Sequence, residues 1–380
     1  MNELTEIIKS EILHSGPVTF ERFTDLALYH EEYGYYSSGY VNIGRHGDFY
    51  TSPYVHSAFG EVLSKFILKC IACINAPVQT VLEIGAGKGT LARDILDFIK
   101  RDNPGVYRSL EYIMIEGSPS LIDQAQDILK DHQDKIRFIR SPAEMEDESI
   151  AGVVISNELF DSLPFHRAVV EEGRLREIYV SFEDNNFIEI TGEPSAPELE
   201  EYIRKYAPGL QEGQQIEINI LAAQTLRAIS RVLKKGLVLT IDYGYLAPEL
   251  FNPSRMKGTY KCMSGHTVNE SPYINIGEQD ITAHVDFSNL ISAGKASGLN
   301  KIKYTTQGQF LIDWGILEVL EKMSNSTDES AGKKIATVKN LFMPGSMGDS
   351  FKTLLQEKNL GDALSGFYPD SPLKISFKTP

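Results

Sequence analysis

Three glycines on alternate positions, Gly85, Gly87 and Gly89, separate an apolar run from a helical pattern in this 380-residue chain. Glycine permits positive φ angles and lets a ligand approach the backbone closely. A helix that begins directly after such a turn presents unpaired N–H groups on the same side. The segment 78–100 therefore predicts a cradle for a nucleotide-like molecule, and a turn that binds nothing is the structural alternative.

A strand and a helix have to position this turn. The run before it is short, apolar and rich in β-branched residues, which is typical of a buried strand: Val78, Val81, Leu82 and Ile84. The apolar residues after it recur with the period of a helix: Leu91, Ile95, Leu96 and Ile99. The pattern therefore predicts strand, glycine turn and helix in direct succession.

The glycine spacing excludes two familiar nucleotide motifs. A dinucleotide fingerprint needs a third glycine at the position of Thr90, which disfavours an oxidoreductase, and a P-loop needs serine or threonine where Gly89 follows Lys88. Glu83 precedes the first glycine by two residues. Its carboxylate would repel a pyrophosphate and would suit a ligand that carries an amino group and a sulfonium charge.

The segment resembles motif I of the class I S-adenosylmethionine-dependent methyltransferases. That resemblance implies S-adenosylmethionine as the cofactor. It also implies that five residues of the turn contact the cofactor: Glu83, Gly85, Ala86, Gly87 and Gly89.

Further candidate cofactor residues follow the next two predicted strands. Glu116 ends the strand that begins at Leu110, and ligands of α/β sheets lie at the carboxyl ends of strands. Its carboxylate is placed to accept hydrogen bonds from two ribose hydroxyls, and Gly117 follows it. After a predicted strand over 136–139, methyltransferases typically hold the adenine, which here adds Ala143 and Glu144.

A fourth predicted strand, 151–156, leads into a segment with two carboxylates and an amide. Glu158 and Asp161 could orient a cationic or amide-bearing substrate and accept its proton, and they are the predicted catalytic residues. Asn157 is predicted to contact the cofactor. Asn and Asp at a strand end also form turns, so that structural role stays open.

The composition limits the partners of the chain. The net charge of −15 argues against non-specific binding to nucleic acid or to an anionic membrane. No run reaches 18 apolar residues and the N-terminus lacks a signal-peptide pattern, so a cytoplasmic location is predicted. Cys70 and Cys73 have metal-site spacing, but they continue a helical pattern and no metal site is predicted. His266 and His284 are left open as catalytic candidates.

The rest of the chain predicts additions to an α/β sheet. Helices are expected over 2–30, then an aromatic loop over 33–53 that either covers the cofactor or serves packing. Further expectations are a hairpin over 165–192 turning at Glu172–Gly173, and a helix over 216–235 followed by a strand over 237–242. They continue with an irregular loop over 246–280, a helix over 287–298, a strand over 301–305, a surface loop over 324–334 and a closing strand over 373–378.

Several motifs in a fixed order extend the resemblance. They are Gly47–Pro53 (GDFYTSP), Glu83–Gly89 (EIGAGKG), Asn157–Pro164 (NELFDSLP), Asp242–Gly244 (DYG), Asp280–Phe287 (DITAHVDF), Gln309–Leu311 (QFL) and Met347–Lys352 (MGDSFK). Together they resemble the MidA family of S-adenosylmethionine-dependent methyltransferases, whose mitochondrial members are complex I assembly factors regarded as protein arginine methyltransferases. The resemblance adds Asp48, Thr51 and Ser52 to the cofactor-binding residues.

The resemblance implies a Rossmann-like class I methyltransferase sheet with helices on both faces, an N-terminal helical cap and a hairpin and helical insertion. The expected segments are an N-terminal region 1–75, a core of 76–164, 215–306 and 370–380, a substrate-side insertion 165–214 and a helical addition 307–369. The implied function is methylation of a protein nitrogen, with arginine as one candidate. The alternative is a cofactor-binding assembly protein without turnover, and a homodimer is left open.

Overall fold

The computed structural model describes residues 2–38, 52–265, 267–325 and 330–369. The chain forms two compact units, each assembled from three separate stretches. The first unit comprises Met1–Phe49, Phe160–Leu226 and Gly244–Ala293. The second unit comprises Tyr50–Leu159, Arg227–Tyr243 and Gly294–Pro380.

A seven-stranded sheet organises the second unit. Its strands are β1 (Gln79–Ile84), β2 (Leu110–Ile115), β3 (Ile136–Ile139), β4 (Ile150–Asn157), β5 (Leu233–Tyr245), β6 (Asn300–Thr306) and β7 (Phe351–Lys358). The order across the sheet is β3-β2-β1-β4-β5-β7-β6. Only β7 is reversed, because it pairs antiparallel with both β5 and β6. This doubly wound arrangement confirms the predicted Rossmann-like sheet.

Helices cover the sheet within the second unit. They are Ser52–Val55, Ala58–Ile74, Thr90–Asp102, Pro104–Ser109, Pro119–Ile128, Gln307–Asp313, Ile316–Ser324, Ala331–Lys339 and Met347–Ser350, with short 3-10 turns at Lys130–Lys135, Pro142–Glu144 and Gly361–Leu364. The helix Ala58–Ile74 packs with Thr90–Asp102 in one apolar cluster that also contains Val153 and Leu239 of the sheet. Cys70 is fully buried there, as the helical pattern predicts, and burial raises the pKa of its thiol well above the usual range.

The first unit combines two small antiparallel sheets with helices. Its strands are Val18–Thr19, His166–Glu171, Arg174–Glu183, Asn186–Gly192 and Gln215–Ile218 in one sheet, and Lys261–Ser264, Thr267–Asn269 and Asp280–Thr282 in the other. Its helices are Glu3–Ser15, Phe20–Tyr29, Pro197–Tyr206 and Ala247–Leu250. Two further helices, Ile220–Val232 and Phe287–Ala296, begin in this unit and end in the second. The short strand Val285–Asp286 pairs in parallel with Gly244 and Tyr245.

The predicted hairpin turn is confirmed. Glu172 and Gly173 have φ angles of 52° and 70° between two antiparallel strands. Two positive φ angles in a two-residue loop match the right-handed twist of the flanking strands. Within the part of the chain that the structure describes, no helix is both long enough and apolar enough to cross a lipid bilayer.

Four sequence expectations are wrong in part. Residues 215–218 form a strand, so the predicted helix begins at Ile220 and not at 216. This strand pairs with the strand residues 166–169, and its side chains Ile216 and Ile218 are buried. The loop predicted over 246–280 contains the short helix Ala247–Leu250 and the strands of the second small sheet. The surface loop predicted over 324–334 gives way to a helix from Ala331.

The fourth expectation placed a helical addition to the core over 307–369. This segment contributes β7, a strand in the interior of the sheet. Seven of the eight residues of β7 are buried, so its sequence, FKTLLQEK, lacks the alternation of a half-exposed strand. The closing strand expected over 373–378 lies outside the described residues. Otherwise the predicted segment boundaries stay predictions.

Candidate functional site

The glycine turn connects β1 to the helix Thr90–Asp102 in the second unit. Gly85, Gly87 and Gly89 have φ angles of 70°, 54° and 75°, which side-chain-bearing residues rarely adopt. A Cβ atom at Gly87 would meet nothing within 4 Å, whereas one at Gly89 would lie 2.9 Å from Leu129 Cδ1. Gly89 is therefore needed for packing of the fold, and Gly87 exposes backbone to open space.

Glu116 lies directly against this turn at the end of β2. Its Oε2 accepts a hydrogen bond from the Gly87 backbone N–H at 2.9 Å, and its Oε1 accepts one from the Ser118 N–H at 2.9 Å. Burial raises the pKa of the carboxyl, and these backbone hydrogen bonds oppose the rise. A carboxylate offers about four lone-pair positions, so the group can accept two further donors. The structure thus brings Glu116 and the turn together, as the sequence argument requires.

Glu83 occupies a different environment from the one its sequence position suggests. Its carboxyl is only 3% exposed, and Oε2 accepts a hydrogen bond from the Tyr112 hydroxyl at 2.6 Å. Burial raises its pKa to about 8, although the hydrogen bond from Tyr112 opposes this, and the charge of Glu116 adds to it. The predicted attraction between an ionised Glu83 and a sulfonium is therefore opposed by burial. Contact with the cofactor stays a prediction.

The adenine-side candidates lie after β3. Glu144 Oε1 accepts hydrogen bonds from the backbone N–H groups of Arg140 and Ser141 at 3.1 and 3.0 Å, in a capping box. Ala143 is exposed, and a Cβ at Gly117 would meet nothing within 4 Å. The Glu144 carboxylate thus shapes the turn, while Ala143 and Gly117 leave backbone accessible.

Asn157 and Glu158 lie at the end of β4. Glu158 has a φ angle of 55°, unusual for a residue with a side chain, and its N–H donates to Ile241 O at 2.9 Å. Its Oε1 accepts hydrogen bonds from Asn157 Nδ2 at 2.9 Å and from the Ser52 N–H at 3.4 Å. The predicted residues Ser52, Asn157 and Glu158 therefore meet at one strand end.

Asp161, the other predicted catalytic residue, belongs to the first unit, whereas Glu158 belongs to the second. Asp161 is 5% exposed, and its backbone oxygen accepts a hydrogen bond from the Ala283 N–H at 3.1 Å. The next residue, Ser162, accepts a hydrogen bond from the Tyr29 hydroxyl through its backbone oxygen. Asp161 is thus fixed among buried neighbours.

The remaining candidates are resolved in part. Asp48, Thr51 and His266 lie outside the described residues. His284 lines a small cavity of about 20 Å³ in the first unit, with room for one water molecule. In the described part of the aromatic loop, Tyr35 is buried and the Tyr36 hydroxyl donates to Asp280 Oδ1 at 2.9 Å, so these residues serve packing.

Two polar groups near these candidates were not predicted individually. Asp286 lines the same cavity as His284, and its carboxylate accepts hydrogen bonds from the Tyr202 hydroxyl and the Ser288 N–H. Burial raises its pKa to about 6. Tyr54 shares a hydrogen bond with the Thr90 side chain at the start of the helix after the glycine turn. Asp286 could have been indicated by its place within the motif Asp280–Phe287, whereas Tyr54 follows the motif Gly47–Pro53 and no sequence signal indicates it.

The glycine turn and its surroundings fit S-adenosylmethionine. The open backbone at Gly87 allows close approach of a ligand, and Glu116 retains acceptor positions for a pair of hydroxyls. Accessible backbone at Gly117 and Ala143 follows the neighbouring strands of the same sheet edge. The chemistry of this donor set therefore agrees with a nucleoside that carries two sugar hydroxyls.

Comparisons with known proteins agree with this geometry. The profile of a family described as "Putative S-adenosyl-L-methionine-dependent methyltransferase" matches residues 62–305. The human protein named "Protein arginine methyltransferase NDUFAF7, mitochondrial" is 27% identical over 371 residues, covering 90% of this chain and 80% of its own length. The Drosophila melanogaster homolog of that protein is 24% identical over 311 residues, which cover 75% of this chain and 68% of the homolog's own length.

A solved structure matches the whole fold. A superfamily member from Burkholderia thailandensis, crystallised bound to S-adenosyl-homocysteine, is 27% identical with a TM-score of 0.85, covering 95% of this chain and 94% of that one. Because S-adenosyl-homocysteine is what S-adenosylmethionine becomes after losing its methyl group, it identifies the cofactor. The chain therefore belongs to the MidA-like family of class I S-adenosylmethionine-dependent methyltransferases.

Proposed function

We propose that the protein methylates a nitrogen atom of a protein substrate, with arginine as one candidate acceptor. Relatives over most of the chain are named protein arginine methyltransferases, at 24–27% identity. The paired-glutamate loop usual in the main arginine methyltransferase class is not plainly present in this chain, because the segment after β4 offers Glu158 and Asp161 instead. The acceptor is therefore proposed as a protein nitrogen, not restricted to a guanidinium.

The second unit would hold the cofactor through the glycine turn, Glu116 and the backbone at Gly117 and Ala143. When bound, S-adenosylmethionine supplies an electrophilic methyl group on a positively charged sulfur. The task of the chain is then to bind, orient and deprotonate the acceptor. Correct orientation contributes up to about 7–11 kcal/mol in well-positioned reactions.

The observation that carries this proposal is the strained backbone at Glu158. A residue with a side chain in the left-handed region costs about 1–3 kcal/mol, and such strain is found mainly where the surrounding structure needs it. Here the hydrogen bond from the Glu158 N–H to Ile241 O and the bond from Asn157 to its carboxylate hold the conformation. The result is a carboxylate fixed at a strand end, where α/β sheets bind ligands.

Such a carboxylate can perform two steps for a nitrogen acceptor. It can accept paired N–H groups of a guanidinium, which fixes the plane of the group. It can also take up the proton that the nitrogen loses, a contribution of roughly 10²–10⁴ in rate. The sequence argument assigns the same two roles to Asp161, and this assignment stays a prediction.

The experiment incubates the protein with cell extract and S-adenosylmethionine carrying a labelled methyl group, then measures labelled protein and released S-adenosyl-homocysteine. Glu158→Gln and Asp161→Asn should keep cofactor affinity within about threefold and lower the turnover at least about a hundredfold. Asp123→Asn, an exposed carboxylate on the helix Pro119–Ile128, is the matched control. Full activity in both variants would exclude the proposed roles.

A cofactor-binding assembly protein without turnover is the alternative. It predicts cofactor binding by calorimetry with no labelled protein and no S-adenosyl-homocysteine above the background of the extract. Three further expectations stay predictions: a cytoplasmic location, the absence of nucleic-acid and membrane partners, and the homodimer left open above. Separation of cell fractions would test the cytoplasmic location. This test matters because the relatives carry the word mitochondrial in their names.

A further inference from the structure

A groove in the first unit lies outside every residue assigned above. It has a volume of about 210 Å³ and is lined by residues of three helices, Phe20–Tyr29, Pro197–Tyr206 and Ile220–Val232, and of the strand His166–Glu171. One water molecule requires about 10–15 Å³ of such space, so the groove has room for a side chain. Its lining includes Glu21, Pro164, His166, Glu198, Ile220 and Leu221.

The groove has an apolar floor and acidic flanks. Pro164, Ile220 and Leu221 supply the apolar surface. Glu21 and Glu198 supply two carboxylates, each from the first turn of a helix, and neither has an ion-pair partner among the described residues. Arg22, the cation next to Glu21 in the chain, already pairs with Glu11 and Asp25. The groove therefore presents two carboxylates that form no ion pair with a described residue.

His166 adds a directed hydrogen-bond acceptor. Its Nδ1 lies 2.7 Å from Oε1 of Glu177, a carboxylate that is completely buried. Glu177 also accepts hydrogen bonds from the Tyr179 hydroxyl and the Ser195 N–H. Burial would raise the pKa of Glu177, but the hydrogen bonds from His166 and Ser195 bring it below the usual range.

In the neutral form of an imidazole, a hydrogen bond to a carboxylate such as that of Glu177 places the proton on Nδ1 and leaves the lone pair on Nε2. No hydrogen bond to His166 Nε2 occurs within the described part of the chain, and His166 lines the groove. A donor entering the groove would meet two carboxylates and this nitrogen, which suits a cationic N–H group above an apolar stem.

We propose that this groove binds an arginine or lysine of the protein substrate other than the residue that is methylated. Glu21 and Glu198 supply the charge complementarity, and His166 Nε2 accepts one N–H. Pro164 places the groove three residues after Asp161 in the same unit. This inference rests on the proposed function, because only a protein substrate offers a second basic residue.

The test measures peptide binding without any need for turnover. The probe is the fluorescein-labelled nonapeptide Ser-Gly-Arg-Gly-Ser-Gly-Arg-Gly-Ser, and its comparison peptide carries glutamine in place of both arginines. Fluorescence anisotropy with the full chain should show the arginine peptide binding at least about threefold more tightly at low salt. That preference should shrink as salt rises, because exposed charges are screened.

Two double variants locate the binding. Glu21→Gln with Glu198→Gln should weaken binding of the arginine peptide about three- to tenfold. Glu200→Gln with Glu201→Gln removes the same charge from exposed positions of the helix Pro197–Tyr206 and does not touch the groove, so it should leave binding unchanged. Equal effects of both pairs, or no effect of the first, would overturn the proposal.

A second measurement follows the NMR signal of the His166 ring in the wild-type protein. The ring Cε1–H resonance of His166, assigned by its loss in His166→Gln, should shift on addition of the arginine peptide and stay in place with the glutamine peptide. If the protein methylates substrates while the groove variants leave KM unchanged, the groove proposal falls and the proposed function stands. If the peptide binds at the groove but no protein is methylated, the groove is a peptide-binding site that does not serve methylation. The assignment of the groove to a methylation substrate and the proposed function would then both be wrong.

Discussion

Replacement of Glu83 by glutamine should change how the stability of the second unit depends on pH. The carboxyl of Glu83 is 3% exposed, and burial raises its pKa from an ordinary value of 4.5 to about 8. Between these two values the unfolded chain releases the proton before the folded chain does. The free energy of unfolding therefore falls as pH rises from about 4.5 to about 8.

The size of this effect follows from the shift in pKa. Each pKa unit corresponds to ~1.36 kcal/mol, so the whole interval from 4.5 to about 8 corresponds to ~5 kcal/mol. Between pH 5 and pH 8 the wild-type protein should lose about 3–4 kcal/mol relative to Glu83→Gln. Glutamine does not titrate, and its amide oxygen can still accept the hydrogen bond from the Tyr112 hydroxyl.

Urea unfolding at pH 5, 6, 7 and 8 provides the measurement. The single tryptophan of the chain, Trp314, lies in the second unit with its ring centroid 5.0 Å from that of Phe66, so its fluorescence reports unfolding of the unit that contains Glu83. The control is Glu146→Gln, which removes an exposed carboxylate from the same unit. Its stability difference from the wild type should vary by less than about 0.5 kcal/mol over this range.

A constant difference between Glu83→Gln and the wild type from pH 5 to pH 8 would refute the reasoning. It would mean that Glu83 is ionised in the folded chain at neutral pH. The carboxylate could then attract a sulfonium, as the sequence argument supposed. A difference that grows with pH in favour of glutamine would show instead that the folded protein holds a neutral acid beside Tyr112.

The other predictions concern the glycine turn and its acid. Glu116→Ala should weaken binding of S-adenosyl-homocysteine about tenfold or more by calorimetry, because a charged acceptor is lost. Glu111→Ala, which removes a carboxylate of β2 that is ion-paired with Arg137, should leave the affinity unchanged. Unchanged affinity in Glu116→Ala would remove Glu116 from the site. Gly87→Ala should lower the free energy of unfolding by about 1–2 kcal/mol yet abolish measurable cofactor binding, since its Cβ would occupy the open space at the turn. Gly89→Ala should lower the free energy of unfolding by about 2–5 kcal/mol, because its Cβ would also press on Leu129. If urea unfolding gives the Gly87→Ala and Gly89→Ala variants the same stability, the separate packing role of Gly89 is wrong.

Local patterns in the sequence predict the parts that neighbouring residues decide. The strand, glycine turn and helix over 78–100 follow from apolar periodicity and from three glycines, which adopt positive φ without the steric cost that a side chain imposes. The approach of Glu116 to Gly87 follows from the rule that successive parallel strands end at one edge of a sheet. The hairpin at Glu172–Gly173 follows from turn chemistry. None of these depends on distant segments, apart from the pairing of the strands themselves.

Other features depend on contacts between distant parts of the chain. β7 is inserted between β5 and β6 and is buried on both faces, so its residues carry no alternating pattern that would reveal it. The raised pKa of Glu83 results from desolvation in the core, which its position beside the glycines does not show. His166 and Glu177 meet only because their strands pair.

The sequence by itself determined the type of most long elements and the cofactor turn, because helix and strand periods and glycine backbone freedom are local properties. Only the tertiary structure decided the insertion of β7, the strand order, the two units assembled from interleaved stretches and the direction in which the pKa of buried acids shifts. These depend on which distant surfaces exclude water from one another, and no short stretch of sequence contains that information.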